Sequence, residues 1–203
     1  ERLRSDIDAK IDSWSDRSMA QRAREALASL DPSRFDGVLS ADSAPAAVYG
    51  LFLHCFTRNT FLDELGPDDG PDWQAFLDAN ISSYSAMEDH LLYRADSPFF
   101  DNTGTTEKED KADVIARSLA DAILLAEERL GKNRARWRWG ALHTYSWRHD
   151  AARKARFLAP LLDRGPFPAS GDTSTLNVAG LAHGWSFDTL WIPSMRMVVD
   201  FAL

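Results

Sequence analysis

The chain has a single cysteine, Cys55. No disulfide can form within it, and no paired-thiol redox or zinc motif exists. The redox compartment stays open, because a large core can hold an exported protein together without disulfides. No apolar run approaches about 18 residues, so no membrane-spanning helix is expected. Glycine-rich phosphate loops, dinucleotide fingerprints and HExxH pairs are missing, which leaves no positive case for a nucleotide or metal cofactor. Positive charge is in deficit: 23 Lys and Arg against 31 Asp and Glu give a formal net charge of -8. A nucleic-acid backbone would need a basic footprint. One local exception combines Arg134, Arg136, Arg138 and Arg148 with Trp137, Trp139, Tyr145 and Trp147, the ingredients of a single-strand stacking platform. The acidic chain around it and the lack of any enclosing nucleic-acid module weigh against that use. An initiator Met and a basic-then-apolar leader are also missing. The chain opens inside a helical pattern at Glu1 and stops inside an extended apolar pattern at Leu203. It therefore reads as a piece of a longer protein, with any export signal upstream.

What is present suits a packed protein. Over 203 residues, 44% are hydrophobic and 27% charged, enough for one sizeable core or two small ones. Leu3, Ile7, Ile11 and Trp14 share one face of a first helix, and a second is predicted from about Met19 to Leu30, halted by Pro32. Asp42 or Ser43 can cap a third, with Pro45 tolerated in its first turn. Its stripe of Ala44, Ala47, Val48, Leu51, Phe52, Cys55 and Phe56 makes Cys55 a core thiol. His54 cannot face it, since sequence neighbours on a helix point about 100° apart. Pro67 to Asp72, PDDGPD, lacks the alternating ligands and closing glutamate of an EF-hand and reads as a solvated loop. Trp73, Phe76, Leu77 and Ile81 start the next stripe, and Met87, Leu91 and Leu92 another. Thr106 and Glu109 have capping-box spacing ahead of Val114, Ile115, Leu119, Ile123 and Leu130, with Gly131 as the stop.

The pattern changes after residue 135. From Trp137 to Trp147, alternate residues are Trp, Trp, Ala, His, Tyr and Trp, which suits an extended segment or rigid aromatic loop. A short helix, Ala151 to Leu158, is expected to end before Pro160. Gly165-Pro166 and Ser170-Gly171-Asp172 then bracket a proline-rich elbow. Alternation returns at Thr175, Asn177 and Ala179, again at Phe187, Thr189 and Trp191, and last at Met195, Met197, Val199 and Phe201. The expected class is α+β: a mainly helical region, 1–135, then an aromatic loop and C-terminal strands, 136–203, forming one folding unit with it.

Chemistry-bearing residues are scattered. The histidines 54, 90, 143, 149 and 183 have no shared ligand spacing, so a zinc site from distant segments has no positive support. His143, between Trp139 and Trp147, suits loop orientation by hydrogen bonding better than base catalysis. Asp172 with Thr173, Ser174 and Thr175 is the composition of a self-bonded turn, and no GxSxG elbow surrounds Ser174. Asn177 suits a bond to a neighbouring loop. Arg196 and Asp200, four apart on a strand, lie on the order of 13 Å from each other and so pair elsewhere.

The ordered set Trp137-Arg138-Trp139-Gly140, His143, Arg164-Gly165-Pro166-Phe167-Pro168, Gly171-Asp172, Thr175, Asn177 and Pro193-Ser194-Met195-Arg196 through Asp200 resembles the C-terminal part of the penicillin acylase family. Phe35-Asp36-Gly37 and the helix from Ala44 to Phe56 are similar to its preceding region. The resemblance implies a fragment of an αββα N-terminal-nucleophile hydrolase fold, cut autocatalytically from a precursor into a small and a large chain. It implies hydrolysis of an acyl amide of a penicillin, an acyl-homoserine lactone or a related N-acyl compound. A new N-terminal serine attacks, its own α-amine serves as base, and an asparagine with backbone N–H groups holds the oxyanion. Residue 1 here is Glu and no Gly-Ser cleavage junction can be matched, so no catalytic, cofactor or metal role is carried onto this chain. Trp137, Trp139, Gly140, His143, Gly165, Pro166, Gly171, Asp172, Thr175, Asn177, Ser194, Arg196 and Asp200 are expected to be structural braces. Calcium, where the parent uses it, is expected on residues outside this chain. The implied partners are the small chain, the N-terminal part of the large chain and a small-molecule amide, with neither nucleic acid nor a membrane span. The implied location of the parent is periplasmic or extracellular. A face bearing Leu3, Ile7 and Met195 is expected to lie partly uncovered and to favour self-association. The alternative from a different class is a non-catalytic soluble binding or assembly domain.

Overall fold

A computed structural model describes residues 2–79, 81–193 and 199. Helix α3 (Ala44–Leu65) lies at its centre and is buried on every side, from Ala46 through Leu51, Leu53 and Phe56 to Phe61. Each such large side chain taken out of water contributes roughly 1.5–3 kcal/mol. Ser43 caps the helix by accepting the Ala46 N–H at 3.1 Å, and Pro45 sits in the first turn, where no N–H is needed. Helix α6 (Lys111–Leu130) packs along α3 through Ile115, Leu119 and Ile123.

Helices α1 (Arg2–Ser13) and α2 (Arg17–Ser29) lie against α6. The buried face of α2 is Ala20, Ala23 and Ala26, small side chains that let two helix backbones approach closely. Asp16 caps it, accepting the Ser18 and Met19 N–H groups. On α1, Ile7 and Ile11 are buried while Leu3 is exposed, so of the expected uncovered face Leu3 is open, Ile7 is covered by the chain itself, and Met195 lies outside the described residues. Short helices α4 (Pro71–Asp78) and α5 (Ile81–Leu92) cover the far end of α3. Ile81 does not continue the stripe of Trp73 and Leu77; it starts α5 with 72% of its surface exposed.

The start of α6 differs from the sequence expectation. Asp110 and Asp113, not Thr106 and Glu109, form the reciprocal capping box. Glu109 instead accepts the Asn102 N–H at 2.9 Å and meets Arg117 at 3.0 Å, which ties down the preceding loop.

After α6 the chain forms one helical turn, α7 (Trp139–Leu142), then β1 (Thr144–Trp147), α8 (Asp150–Lys154), α9 (Ala159–Leu162) and β2 (Arg164–Pro168). The order is α+β, helices first and strands after, as in a fragment of an αββα fold. Only the second half of the aromatic alternation is extended. Trp139 N–H donates to Ser43 O and Gly140 N–H to Ala41 O, and these distant acceptors bend 139–142 into a helical turn. Pro160 does not follow a helix end but occupies the first turn of α9. The start of the expected elbow is a strand: β2 runs antiparallel to β1, with Thr144 opposite Pro168 and Tyr145 opposite Phe167. Residues 175–179 form no strand, and 187–191 contribute one isolated bridge, Gly180 to Trp191. The alternating segment from Ser194 to Phe201, with Ser194, Met195, Arg196 and Asp200, lies outside the described residues apart from Val199.

Candidate functional site

The elbow at 164–178 is pinned by groups far away in sequence. Ala169 N–H donates to His143 O at 2.9 Å and Gly171 N–H to Leu39 O at 2.7 Å. Ser170 Oγ accepts the Ala41 N–H at 2.9 Å, and the Trp139 indole N–H donates to Gly171 O at 2.9 Å. Gly171 sits at φ +83°, and a Cβ there would lie 1.9 Å from Asn177 O, so no other residue fits. Asp172, buried, accepts the Ser174 N–H at 2.8 Å and the Thr175 N–H at 3.0 Å, a self-bonded turn. Thr175 Oγ1 accepts the Asp172 N–H at 2.9 Å, and Asn177 Nδ2 donates to Ser170 O at 3.2 Å.

Trp139, Gly140, His143, Gly171, Asp172, Thr175 and Asn177 are thus brought into one brace. Trp137 stands apart: it is buried, donates to Gly131 O at 2.7 Å, and lies under the Arg134 guanidinium. Arg134 is itself held by Glu25 and Glu127. Two buried tryptophans and a neutralised arginine are not a stacking platform. Gly165 and Pro166 lie in β2, away from the brace.

Behind the brace lies a buried histidine group. His143 stacks on Trp139 with ring centroids 4.8 Å apart, and its Nδ1–H donates to Phe187 O at 2.6 Å, leaving Nε2 without a proton. His54 Nδ1 accepts the Gly184 N–H at 3.2 Å. His183 packs near Tyr84, with centroids 6.0 Å apart. Neither of its ring nitrogens, nor His143 Nε2, has a hydrogen-bond partner among the described residues. Burial pushes His54 down to about 3 and His183 down to about 4, and lowers His143 as well. All three are neutral at pH 7; Asp172 faces His143 and His183, while Arg58, Arg129 and Asp68 surround His54.

Two features carried no sequence signal. A Cβ on Gly50 would lie 2.3 Å from the Trp139 ring, so this glycine inside α3 makes room for the indole that holds the elbow. His183 sits in a loop where no periodicity marks it as buried.

Chemically the brace is inert. Burial pushes the Cys55 thiol up to about 12, Ser174 Oγ donates to Asp172 at 3.0 Å, and a histidine at about 3 or 4 is a poor base at neutral pH. Outside the brace Ser97 Oγ meets His90 Nε2 at 3.1 Å, but that hydroxyl also caps the turn at Pro98–Phe100 by accepting the Phe99 N–H at 3.3 Å. Within the brace, among the described residues, no hydroxyl or thiol is hydrogen-bonded to a histidine. A cleft of about 520 Å³ opens between α3, α6 and the turn at 184–187, lined by His54, Arg58, Asn59, Asp121, Arg129 and Trp185. Much of its polar lining is already engaged: Arg58 holds Gly184 O and Asp68, and Asn59 holds Asp121. Among the described residues no group of three or more His, Cys, Asp or Glu could hold a metal ion, and no helix is long and apolar enough to cross a membrane.

A family model described as penicillin amidase matches residues 1–203. The acyl-homoserine lactone acylase QuiP of Pseudomonas aeruginosa is 49% identical over 210 residues, covering 98% of this chain and 24% of that protein. QuiP of Pseudomonas fluorescens Pf0-1 is 47% identical across 89% of this chain and 21% of its own length. QuiP of Pseudomonas putida is 48% identical across 89% of this chain and 22% of its own length. The chain therefore spans a quarter or less of these curated relatives.

Proposed function

Because this chain belongs to the penicillin amidase family, we propose that it is the C-terminal part of an N-terminal-nucleophile amidohydrolase cleaving the acyl amide of acyl-homoserine lactones or related N-acyl compounds. The carrying observation is 49% identity to an acyl-homoserine lactone acylase across 98% of this chain. The nucleophile is a serine outside residues 1–203. It attacks the amide carbonyl, its α-amine takes the proton, the amine product leaves, and water then releases the acid. Residues 1–135 and 136–203 form one folding unit whose elbow, fixed by Trp139, Gly171 and Asp172, holds sheet and loops in register. The remaining partners are the rest of the enzyme, small chain included, and the amide substrate. The enzyme works in the periplasm or outside the cell, and any calcium is held beyond this chain.

The test is intact mass and hydrolysis of the full gene product. Two chains, one opening on serine, and acid released from N-acyl-homoserine lactones are expected. An uncleaved product that begins near Glu1 and releases no acid from any N-acyl amide overturns the proposal in favour of a binding or assembly domain.

A further inference from the structure

The excursion at 144–168 is built unlike the rest of the chain. Five cations, Arg148, Arg153, Lys154, Arg156 and Arg164, stand against Asp150 and Asp163, a local +3 within a chain of net -8. Arg148, Arg153 and Arg156 line a concavity of about 520 Å³ whose one carboxylate is Asp163. That carboxylate already accepts the His149 N–H at 2.9 Å. Beside them Trp147, Phe157, Leu161 and Phe167 are 56%, 82%, 68% and 40% exposed. Large apolar side chains crowded on one short excursion mark a surface made to be covered.

The local sheet has the same need. Among the described residues β2 pairs with β1 and no other strand, and all five of its residues are exposed. A two-stranded hairpin is marginal by itself. Pro166 and Pro168 have no N–H, so a further strand could not form a continuous ladder along β2. Cover has to come through side chains.

We infer that the face formed by Phe157, Leu161, Trp147 and the Arg148–Arg153–Arg156 concavity docks a segment of the acylase polypeptide outside residues 1–203, one carrying carboxylates beside apolar side chains. The inference rests on the reading of this chain as part of a longer acylase. The occupant follows from charge and length. A second copy meeting it through the same face would set +3 against +3, and an anionic bilayer would meet a chain of net -8. Relatives place about three quarters of their length outside the matched region, which supplies ample chain to cover the face.

A photo-crosslinking residue placed at Phe157 in the full gene product tests this, with Leu92, exposed on α5, as the control position. Peptide mapping should find Phe157 coupled to an Asp- or Glu-bearing segment outside 1–203. Charge reversal of Arg153 and Arg156 to Glu should lower that yield by about tenfold. Coupling within 1–203, to a second copy, to lipid, or to nothing overturns the inference, as does a yield that charge reversal leaves unchanged. If the same preparation hydrolyses acyl-homoserine lactones, only the docking face is wrong. If it neither extends beyond this chain nor hydrolyses them, the functional reading has failed too.

Discussion

Acid should unfold this chain through its buried histidines. An exposed histidine in the unfolded chain titrates near 6.5, whereas His54 and His183 are held at about 3 and about 4 in the fold. Between those values the unfolded state binds protons that the folded state refuses, so stability is full above about pH 7 and falls as pH drops. From pH 7.5 to 5 each such group costs about 2 kcal/mol, so the pair costs about 4 kcal/mol, with His143 acting in the same direction. That is a large share of an ordinary stability of about 5–15 kcal/mol. Glu64, raised to about 7 by burial and Asp63, opposes the trend. It lies in an exposed position, where solvent screening keeps its contribution small. Asp31, Asp68 and Asp110, lowered from 3.8, act only below this window. Urea unfolding followed by circular dichroism at pH 7.5, 6.5, 5.5 and 5.0 measures the loss directly. His183→Leu removes a ring with two unpartnered nitrogens and should shrink the loss by about 2 kcal/mol. A stability that stays flat from pH 7.5 to 5, or a slope indifferent to His183→Leu, would show these rings to be solvated and the reasoning mistaken.

Three further outcomes concern the core and the brace. Gly50→Ala gains helix propensity of about 1 kcal/mol but drives a methyl into Trp139, so a net loss of about 1–2 kcal/mol is expected in chemical denaturation; a stabilised variant would contradict the packing. Asp172→Ala strips the acceptor from two N–H groups and should cost about 1–3 kcal/mol, while Asp172→Asn keeps most of the turn. Equal losses for the two would mean that charge, not hydrogen bonding, matters there. Cys55, pushed up to about 12 by burial, should label with iodoacetamide about a thousandfold more slowly in the fold than in denaturant, and rapid native labelling would count against its burial.

The helices were readable because their signals are local. Ile7 with Ile11, the Ser43 cap and the stripe of α3 need only a three-four rhythm and one capping side chain. What the sequence hid depends on distant partners. Thr106 and Glu109 have capping-box spacing as good as that of Asp110 and Asp113, but Glu109 is claimed by Asn102 and Arg117. The Trp139–Leu142 turn breaks a period-two pattern because acceptors at Ala41 and Ser43 bend it. Gly165-Pro166 reads as a turn, and pairing with β1 makes it a strand. Of the thirteen positions expected as braces, Trp139, Gly140, His143, Gly171, Asp172, Thr175 and Asn177 share one hydrogen-bonded region, Trp137, Gly165 and Pro166 stand apart from it, and Ser194, Arg196 and Asp200 lie outside the described residues. Gly50 and His183 were silent, since neither a helix glycine nor a loop histidine announces what packs on it.

The central claim is that residues 1–203 brace an acylase whose nucleophile lies elsewhere. A serine-directed acylating inhibitor applied to the mature full-length enzyme, followed by peptide mass mapping, tests it most directly. The modified residue should be an N-terminal serine outside residues 1–203, with Ser174 and Cys55 unmodified. Stoichiometric modification of Ser174, or of any other residue in this chain, with matching loss of activity would contradict it.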